Sequence, residues 1–356
     1  MSLILDGSNG ITFPNSSTQA VGFYGFKNRI INGAMVIDQR NAGASVTPTG
    51  GAYTLDRWSY DPSGAYSWFS FQQNAGSITP PVGFSNYLGA TSTGANTPSA
   101  GQFSALFQRI EGFNTADLQW GTANAKTVTL SFWVYSSLTG TFGGAINNGA
   151  SSRSYPFTFV ISSANTWTQA SVTIAGDTSG TWVGATNGIG MTVNFNLGSG
   201  STYSGTAGAW ASAWYKSATG AVNISATSGA TFYITGVQLE VGSTATSFDY
   251  RPYGTELALC QRYYFSGQMN FTIPGTLATA TNGQQYFMVG YQLPVSMRAT
   301  PTCGPSGSNV LTGYTYNNQT LNLQWGYTPT NQNAILKLDS PAGGNFSTPL
   351  TASAEL

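Results

Sequence analysis

The feature that most constrains this chain is an alternation of apolar and polar residues with a period of two. It is most regular from Ala125 to Tyr135, where Val128, Leu130, Phe132 and Val134 alternate with Thr129, Ser131, Trp133 and Tyr135. Because successive side chains of a strand point to opposite faces, the first set is predicted to face a core and the second to face outward. Similar segments recur between Gly, Ser, Asn and Pro clusters without helical patterns, which predicts a jelly-roll β-sandwich.

Composition supports an all-β chain of more than one domain. The 356 residues include 44 Gly and 15 Pro, which suit many short strands, and 20 Phe, 19 Tyr and 9 Trp, which suffice for sizeable cores. The length exceeds the roughly 200–250 residues of one large sandwich. We therefore predict a jelly-roll domain at 28–253 and a second, smaller β domain at 265–356.

Helical periodicity is convincing only after the turn "DYRPYG", in a stretch around which the few charges of the chain also gather. Thr255 is predicted to cap a short helix there. Leu257, Cys260 and Tyr264 share one stripe of this helix and are predicted to be buried. The segment 254–264 is thus predicted to be a connector helix between the two β domains.

The charge pattern excludes several classes of partner. Twelve basic and twelve acidic residues give a formal net charge of zero, so no basic face favours nucleic acid or an anionic membrane surface. No apolar run is long enough to span a bilayer, and the start of the chain lacks the features of a signal peptide, which predicts synthesis and retention in the cytoplasm. Cys260 and Cys303 are predicted to be buried thiols, since two cysteines make neither a disulfide framework nor a zinc site.

Catalysis has little support in the sequence. The chain has no histidine, which excludes histidine-dependent triads and histidine metal sites. The acids considered for glycoside hydrolysis, none paired by spacing, are Asp56, Asp61, Glu111, Asp117 and Asp177. Asp56 beside Arg57, and Asp249 beside Arg251, are predicted to form local or cross-strand ion pairs. We predict no enzyme activity, no cofactor and no metal site, although a structural calcium stays open.

Aromatic residues give the better functional indication. Trp210, Trp214 and Tyr215 lie in the loop-like segment "GAWASAWYKS", and sugars bind by stacking on exposed rings beside amide and hydroxyl groups. With so little charge, this surface is predicted to suit neutral sugars. Packing in a core or a subunit interface is the competing interpretation of each ring.

Several segments resemble a module that recurs in tail fibres and related virion appendages of tailed bacteriophages and cyanophages. They are "NRIINGAMVIDQRN", "YTLDRW", "KTVTLSFWVYSS", "VSMRATPT", the leader-like "DGSNGITFPNSSTQA" and, as the most specific, "GVQLEVGSTATSFDYRPYGTELALCQRYY". The resemblance implies a virion structural protein, a homotrimer, with a jelly-roll similar to carbohydrate-binding modules. It implies a host-surface glycan as partner and location in the virion.

The first 27 residues are predicted to form the virion attachment. Two apolar runs flank the turn signal "DGSNG", which predicts a hairpin that is marginal on its own. Leu3, Leu5, Ile11 and Phe13 are therefore predicted to contact other virion proteins. Two alternatives remain: a purely structural tail or capsid decoration fibre without receptor, and a glycan depolymerase, which the absence of β-helix repeats disfavours.

Overall fold

The computed structural model describes residues 26–273, 286–304 and 344–356, together with five separate strands. These strands are Ile4–Asp6, Gly10–Thr12, Thr18–Gln19, Leu323–Thr328 and Asn333–Asp339. The predicted amino-terminal hairpin is confirmed, because β1 (Ile4–Asp6) pairs antiparallel with β2 (Gly10–Thr12), which pairs with β3 (Thr18–Gln19). Leu3 and Phe13 lie outside the described residues.

The body that follows is an antiparallel sandwich. Its strands are β4 (Ala52–Leu55), β5 (Trp58–Pro62), β6 (Phe69–Gln73), β7 (Leu88–Ser92), β8 (Phe103–Glu111), β9 (Val128–Ser136), β10 (Gly140–Asn148), β11 (Ser154–Ile161), β12 (Thr168–Ile174), β13 (Ile189–Ser199), β14 (Ser204–Gly205), β15 (Ser217–Ala218) and β16 (Thr231–Val241). One sheet has the order β11-β10-β13-β8-β5-β4 and the other β12-β9-β16-β7-β6. The two sheets confirm the predicted jelly-roll β-sandwich.

The core lies between the two sheets and is built from the inward face of each strand. The alternation predicted for β9 is confirmed, since Phe132 and its apolar partners are buried while Trp133 and Tyr135 are only half-buried on the other face. The ring of Phe195 on β13 lies 5.0 Å from that of Phe132 and 6.2 Å from that of Trp58. Burying such a ring contributes about 1.5–3 kcal/mol to the stability of the fold. Because the inward faces supply this stabilisation, residues on the outer faces are available for function.

The helix begins earlier than predicted. Helix α1 spans Tyr253–Gln261, and the carbonyl of Pro252 accepts hydrogen bonds from the main-chain nitrogens of Thr255 and Glu256. The prediction that Thr255 caps the helix is therefore wrong, because Thr255 already lies within the first turn. The Pro252 carbonyl accepts the first bonds, and no side chain caps α1.

The apolar stripe of the helix is only partly buried. Cys260 is fully buried, as predicted, whereas Leu257 is half-buried. The helix also ends earlier than the predicted bound of 264, so Tyr264 lies in the following strand and is half-buried, and the fully buried ring is that of Tyr263. Cys260 and Tyr263 pack with Ile31 in a small cluster that is separate from the main core of the sandwich.

Strands after the helix make a smaller β portion of the chain. They are β17 (Tyr264–Ile273), β18 (Tyr286–Gln292), β19 (Thr302–Gly304), β20 (Leu323–Thr328), β21 (Asn333–Asp339) and β22 (Gly344–Ser353). They form two three-stranded sheets, β17-β22-β19 and β18-β21-β20. Cys303 on β19 is half-buried rather than buried, and both cysteines are free. The predicted fold class, a sandwich followed by a short helix and a smaller β region, is confirmed.

The ion pairs at this junction differ from those predicted. Asp56 accepts hydrogen bonds from Gln39 rather than pairing with Arg57, which is buried and pairs with Glu355 near the end of the chain. Arg57 also lies over the ring of Tyr263 at 3.5 Å. The predicted local pair is wrong because the Asp56 side chain turns toward the loop that contains Gln39.

Two further pairs explain why charge gathers around the helix. Arg251 pairs with Glu256 at 3.2 Å rather than with Asp249, whose carboxylate accepts the main-chain N–H of Lys27. Arg262 pairs with the buried Glu111 of β8 at 2.7 Å. The charges thus fasten the helix region to the sandwich.

Candidate carbohydrate-binding cleft

A long loop, residues 200–222, crosses the outer face of the six-stranded sheet. Ala211 forms a two-way main-chain bridge with Ser154 at the edge strand β11, and the nitrogen of Val222 donates to the carbonyl of Thr141 on β10. The loop extends as far as β8, where Phe103 contacts Tyr203 and Trp214, and it leaves Asp61 of β5 and Arg109 of β8 partly exposed. Trp214 and Lys216 lie at the boundary between the covered and the open parts.

Trp214 forms one wall at this boundary. Its side chain is 39% exposed, whereas most large apolar side chains of the sandwich are buried. Edge-to-face contacts with Phe103 at 5.6 Å and Tyr203 at 5.5 Å fix the orientation of the indole. The ring is thus held rigidly while part of it faces solvent.

Lys216 lies beside the Trp214 wall and is buried. Its Nζ donates to Asp61 Oδ2 at 2.9 Å and to Asn194 Oδ1 at 3.3 Å. The same nitrogen lies within cation–π range of two aromatic rings, 5.0 Å from both Phe103 and Trp214. Burial lowers the pKa of the ammonium, and the Asp61 carboxylate opposes part of that shift.

Cross-strand register explains why these groups meet. Phe107 of β8 lies opposite Asn194 of β13 on one side and Ser59 of β5 on the other, and Asp61 follows Ser59 by two residues. Residues two apart on a strand share a face, so all of these side chains project from the outer face of the sheet. Lys216 then reaches down from the loop to join them.

The space between the wall and the sheet is a small cleft of about 70 Å³. Asp61, Phe107, Arg109, Thr192 and Trp214 are among the residues that line it. The side chain of Asp61 is 26% exposed, and its carboxylate can accept hydrogen bonds from sugar hydroxyls. A ring wall with a few converging polar groups has the character of a small-ligand site.

The other two residues predicted for this site lie elsewhere. Trp210 packs edge-to-face against Trp120 at 5.2 Å and Trp182 at 5.5 Å, and its Nε1 donates to the carbonyl of Ala175. Tyr215 packs its ring closely against Gly205, where an added Cβ would overlap the ring. Both are half-buried packing residues, so Trp214 alone of the three lines the cleft.

The sequence interpretation missed Phe107, Arg109 and Lys216 as site residues, and it considered Asp61 only as a candidate acid for hydrolysis. One signal was available, because Lys216 directly follows the predicted ring segment in a chain that is only 7% charged. The other three come from strands far away in sequence. Only the sheet register brings them together.

The acids considered for hydrolysis are dispersed, and each has its own partner. Asp61 pairs with Lys216, Asp117 with Arg29, Asp177 with Arg153 and Glu111 with Arg262, whereas Asp56 accepts from Gln39. Among the described residues, Asp61 is the acid that lines the cleft. The arrangement therefore offers no facing pair of carboxylates there, which glycoside hydrolysis requires.

A second cleft, of about 170 Å³, lies near the start of the helix and is lined by the rings of Phe84, Phe248 and Tyr250. Its charged residues Arg251 and Glu256 bond to each other, so few polar groups are available to orient a sugar. Over the described ranges, no group of three or more Cys, Asp or Glu side chains could hold a metal ion. In the same residues, none of the helices has the length and apolar character needed to cross a membrane.

Comparison with known proteins gives structural similarities only. No protein-family model and no curated protein matches the chain. A family 4 carbohydrate-binding module is similar at 13% identity and a TM-score of 0.31, over 59% of this chain and 98% of that module. A family 11 module from Clostridium thermocellum, solved with a β-1,3-1,4-mixed-linked tetrasaccharide, is similar at 8% identity and a TM-score of 0.29, over 56% of this chain and 99% of that module. The amino-terminal cellulose-binding domain of a Cellulomonas fimi β-1,4-glucanase is similar at 13% identity and a TM-score of 0.24, over 58% of this chain and 99% of that domain.

Proposed function

We propose that this protein is a non-enzymatic virion appendage protein of a tailed phage that binds a host-surface glycan in the cleft beside Trp214. The observation that carries the binding proposal is the rigid, partly exposed Trp214 ring facing the Asp61 carboxylate across Phe107. A sugar ring stacks its apolar face on the indole while its hydroxyls donate to the carboxylate. The virion role is supported by the sequence segments that resemble tail-fibre modules.

Weak binding at each site suits such a role. The cleft is small, about 70 Å³, and contacts only part of a glycan, so a single site gives modest affinity. Three copies in a homotrimer, and several fibres per virion, raise the effective affinity by about 10²–10⁴ when the sites face the same way. The attachment of residues 1–27 to other virion proteins is part of this proposal.

A glycan array with the full-length protein tests the binding proposal directly. We expect the wild-type protein to bind a restricted set of glycans and Trp214→Ala to lose that binding. Phe113→Ala is the matched control, because Phe113 is another exposed ring, 57% exposed, that does not line the cleft. An array on which wild-type protein binds no glycan, or on which Trp214→Ala binds like the wild type, contradicts the proposal.

The purely structural alternative predicts a silent array together with normal incorporation into virions. A depolymerase predicts shortened polysaccharide chains after incubation with host capsule or lipopolysaccharide. The dispersal of the acids favours binding without cleavage.

A further inference from the structure

Beneath the cleft, the buried amine of Lys216 contacts both a carboxamide and a carboxylate. Lys216 Nζ lies 3.3 Å from Asn194 Oδ1 and 2.9 Å from Asp61 Oδ2. Lys216 is 4% exposed and Asn194 is fully buried. Of the lysines whose side chains the structure describes, Lys27 and Lys126 are not buried, so Lys216 alone sits in such surroundings.

We propose that Lys216 and Asn194 form an intramolecular isopeptide bond, with Asp61 as the proton-transferring group. A covalent link of this kind requires a nucleophilic amine held against an electrophilic carbonyl, away from competing water. The amine, the carbonyl and the exclusion of water are each provided by a different feature of the structure.

The amide of Asn194 is held in one orientation. Its Nδ2 donates to the carbonyl of Ala145 at 3.1 Å and to Asn147 Oδ1 at 2.7 Å. These two acceptors fix which end of the carboxamide carries the oxygen, so the carbonyl faces Lys216. The leaving nitrogen lies on the far side.

The amine is held in surroundings that favour its neutral, nucleophilic form. The rings of Phe103 and Trp214 lie 5.0 Å from Nζ and that of Phe107 lies 5.8 Å away. Burial among them lowers the pKa of the Lys216 ammonium. A desolvated lysine held near its target is the usual arrangement for a nucleophilic amine.

The chemistry balances without any further reactant. Asp61 takes a proton from the Lys216 ammonium, and the free amine attacks Cγ of Asn194. The Nζ–Cγ bond forms and the Cγ–Nδ2 bond breaks. The departing nitrogen receives the second amine proton and the proton held by Asp61, and leaves as ammonium, so that Asp61 ends as a carboxylate. No oxidant, metal or cofactor takes part.

The link would join the loop 200–222 to the central strand β13. That loop contains Trp214, so a covalent link beneath it would preserve the geometry of the cleft under mechanical force. The loop is otherwise fastened by hydrogen bonds and by the Lys216–Asp61 ion pair.

Mass spectrometry of the purified full-length protein tests this proposal. We expect the denatured wild-type protein to be lighter than its sequence by the mass of one ammonia, and proteolysis to release a branched peptide that joins Lys216 to Asn194. Lys216→Arg, which keeps the charge but not the nucleophile, and Asn194→Ala should each show the full mass. Asp61→Asn should also show it, since the lysine and the asparagine remain but the proton acceptor is gone.

Three outcomes overturn the proposal. One is a wild-type protein of unchanged mass after prolonged incubation. Another is loss of ammonia that maps to a linear peptide, such as one containing the Asn148–Gly149 step. A branched peptide in Asp61→Asn at the wild-type level overturns the role of Asp61. None of these measurements involves a glycan, so they are independent of the proposed function.

Discussion

The indole ring of Trp214 lies 5.0 Å from the ammonium nitrogen of Lys216, which itself donates to Asp61. The exposed wall of the cleft is thus supported by a buried cation two residues further along the same loop. This relationship joins an outer surface suited to sugar stacking to a polar cluster beneath it. It also explains why a lysine is tolerated in the interior of a chain with so few charges, because both a carboxylate and aromatic faces surround it.

The buried pair between Arg57 and Glu355 predicts a large contribution to stability. Glu355→Gln leaves the guanidinium of Arg57, which is 1% exposed, without its carboxylate. We expect the free energy of unfolding to fall by about 3 kcal/mol. Urea unfolding monitored by tryptophan fluorescence measures this change.

Asp117→Asn is the matched control for that prediction. It breaks the Arg29–Asp117 pair, whose aspartate is 53% exposed, and should cost less than about 1 kcal/mol. Equal losses in the two variants would show that the end of the chain is not held by its buried pair.

The helix predicts a contrast between two neighbouring substitutions. Cys260→Asp places a charge in a fully buried position and should cost about 3 kcal/mol or more, since no partner awaits it. Leu257→Asp should cost clearly less, because Leu257 is half-buried and its carboxylate can reach water. Equal decreases of the thermal midpoint in the two variants would contradict the finding that Cys260 is fully buried and Leu257 only half-buried.

The fold followed from the sequence wherever a local pattern determined it. The period of two in β9 predicted which residues face the core, although Thr129 and Ser131 on the other face are also buried, and the turn signal "DGSNG" predicted the β1–β2 pairing. Helix α1 was predicted from the preceding turn "DYRPYG" and from its stripe of apolar residues. Its start was misplaced because the carbonyl of Pro252 accepts the first hydrogen bonds of the helix. Local rules therefore predicted the elements more reliably than their ends.

The site and the ion pairs could not be predicted in the same way. Asp61, Phe107 and Asn194 meet only through the register of three strands that are far apart in sequence. The pairing of Asp56 with Arg57 was predicted from adjacency, but the two residues form the turn between β4 and β5, where Asp56 bonds to Gln39 and Arg57 reaches Glu355. Trp210 and Trp214 look alike in sequence, and only the packing of Trp120 and Trp182 distinguishes them.

Asp56 predicts a dependence of stability on pH. Burial raises the pKa of this carboxyl to about 6 from its usual 3.8, although Arg40 and the hydrogen bonds from Gln39 oppose the shift. The folded state therefore binds this proton more tightly than the unfolded state does. The stabilisation of the folded state by this proton is fully present below pH 3.8 and is lost as the pH rises through about 6. Its size is about 2–3 kcal/mol.

Asp56→Asn removes this titration and should flatten the stability profile between pH 4 and pH 6. Unfolding free energies measured across that range in both proteins provide the comparison. A wild-type slope identical to that of the variant would indicate that Asp56 stays ionised in the folded state.

Removal of residues 1–25 tests the proposed virion attachment. The truncation ends before Lys27, because the main-chain nitrogen of Lys27 bonds to Asp249 in the body. We expect an unchanged thermal midpoint but no incorporation into virions. Truncated protein in virions at the normal level would refute the attachment, and a lower midpoint would show that the segment stabilises the body.

Calorimetric titration of a glycan selected on the array tests the central claim most directly. The account predicts measurable binding by the wild-type protein and by Phe113→Ala, and at least a tenfold weaker binding by Trp214→Ala, which corresponds to about 1.4 kcal/mol of lost stacking. Circular dichroism of the three proteins should be the same, because Trp214 contributes to a wall rather than to the core. Equal affinity of Trp214→Ala and the wild type would contradict the account and place any glycan site elsewhere on the molecule.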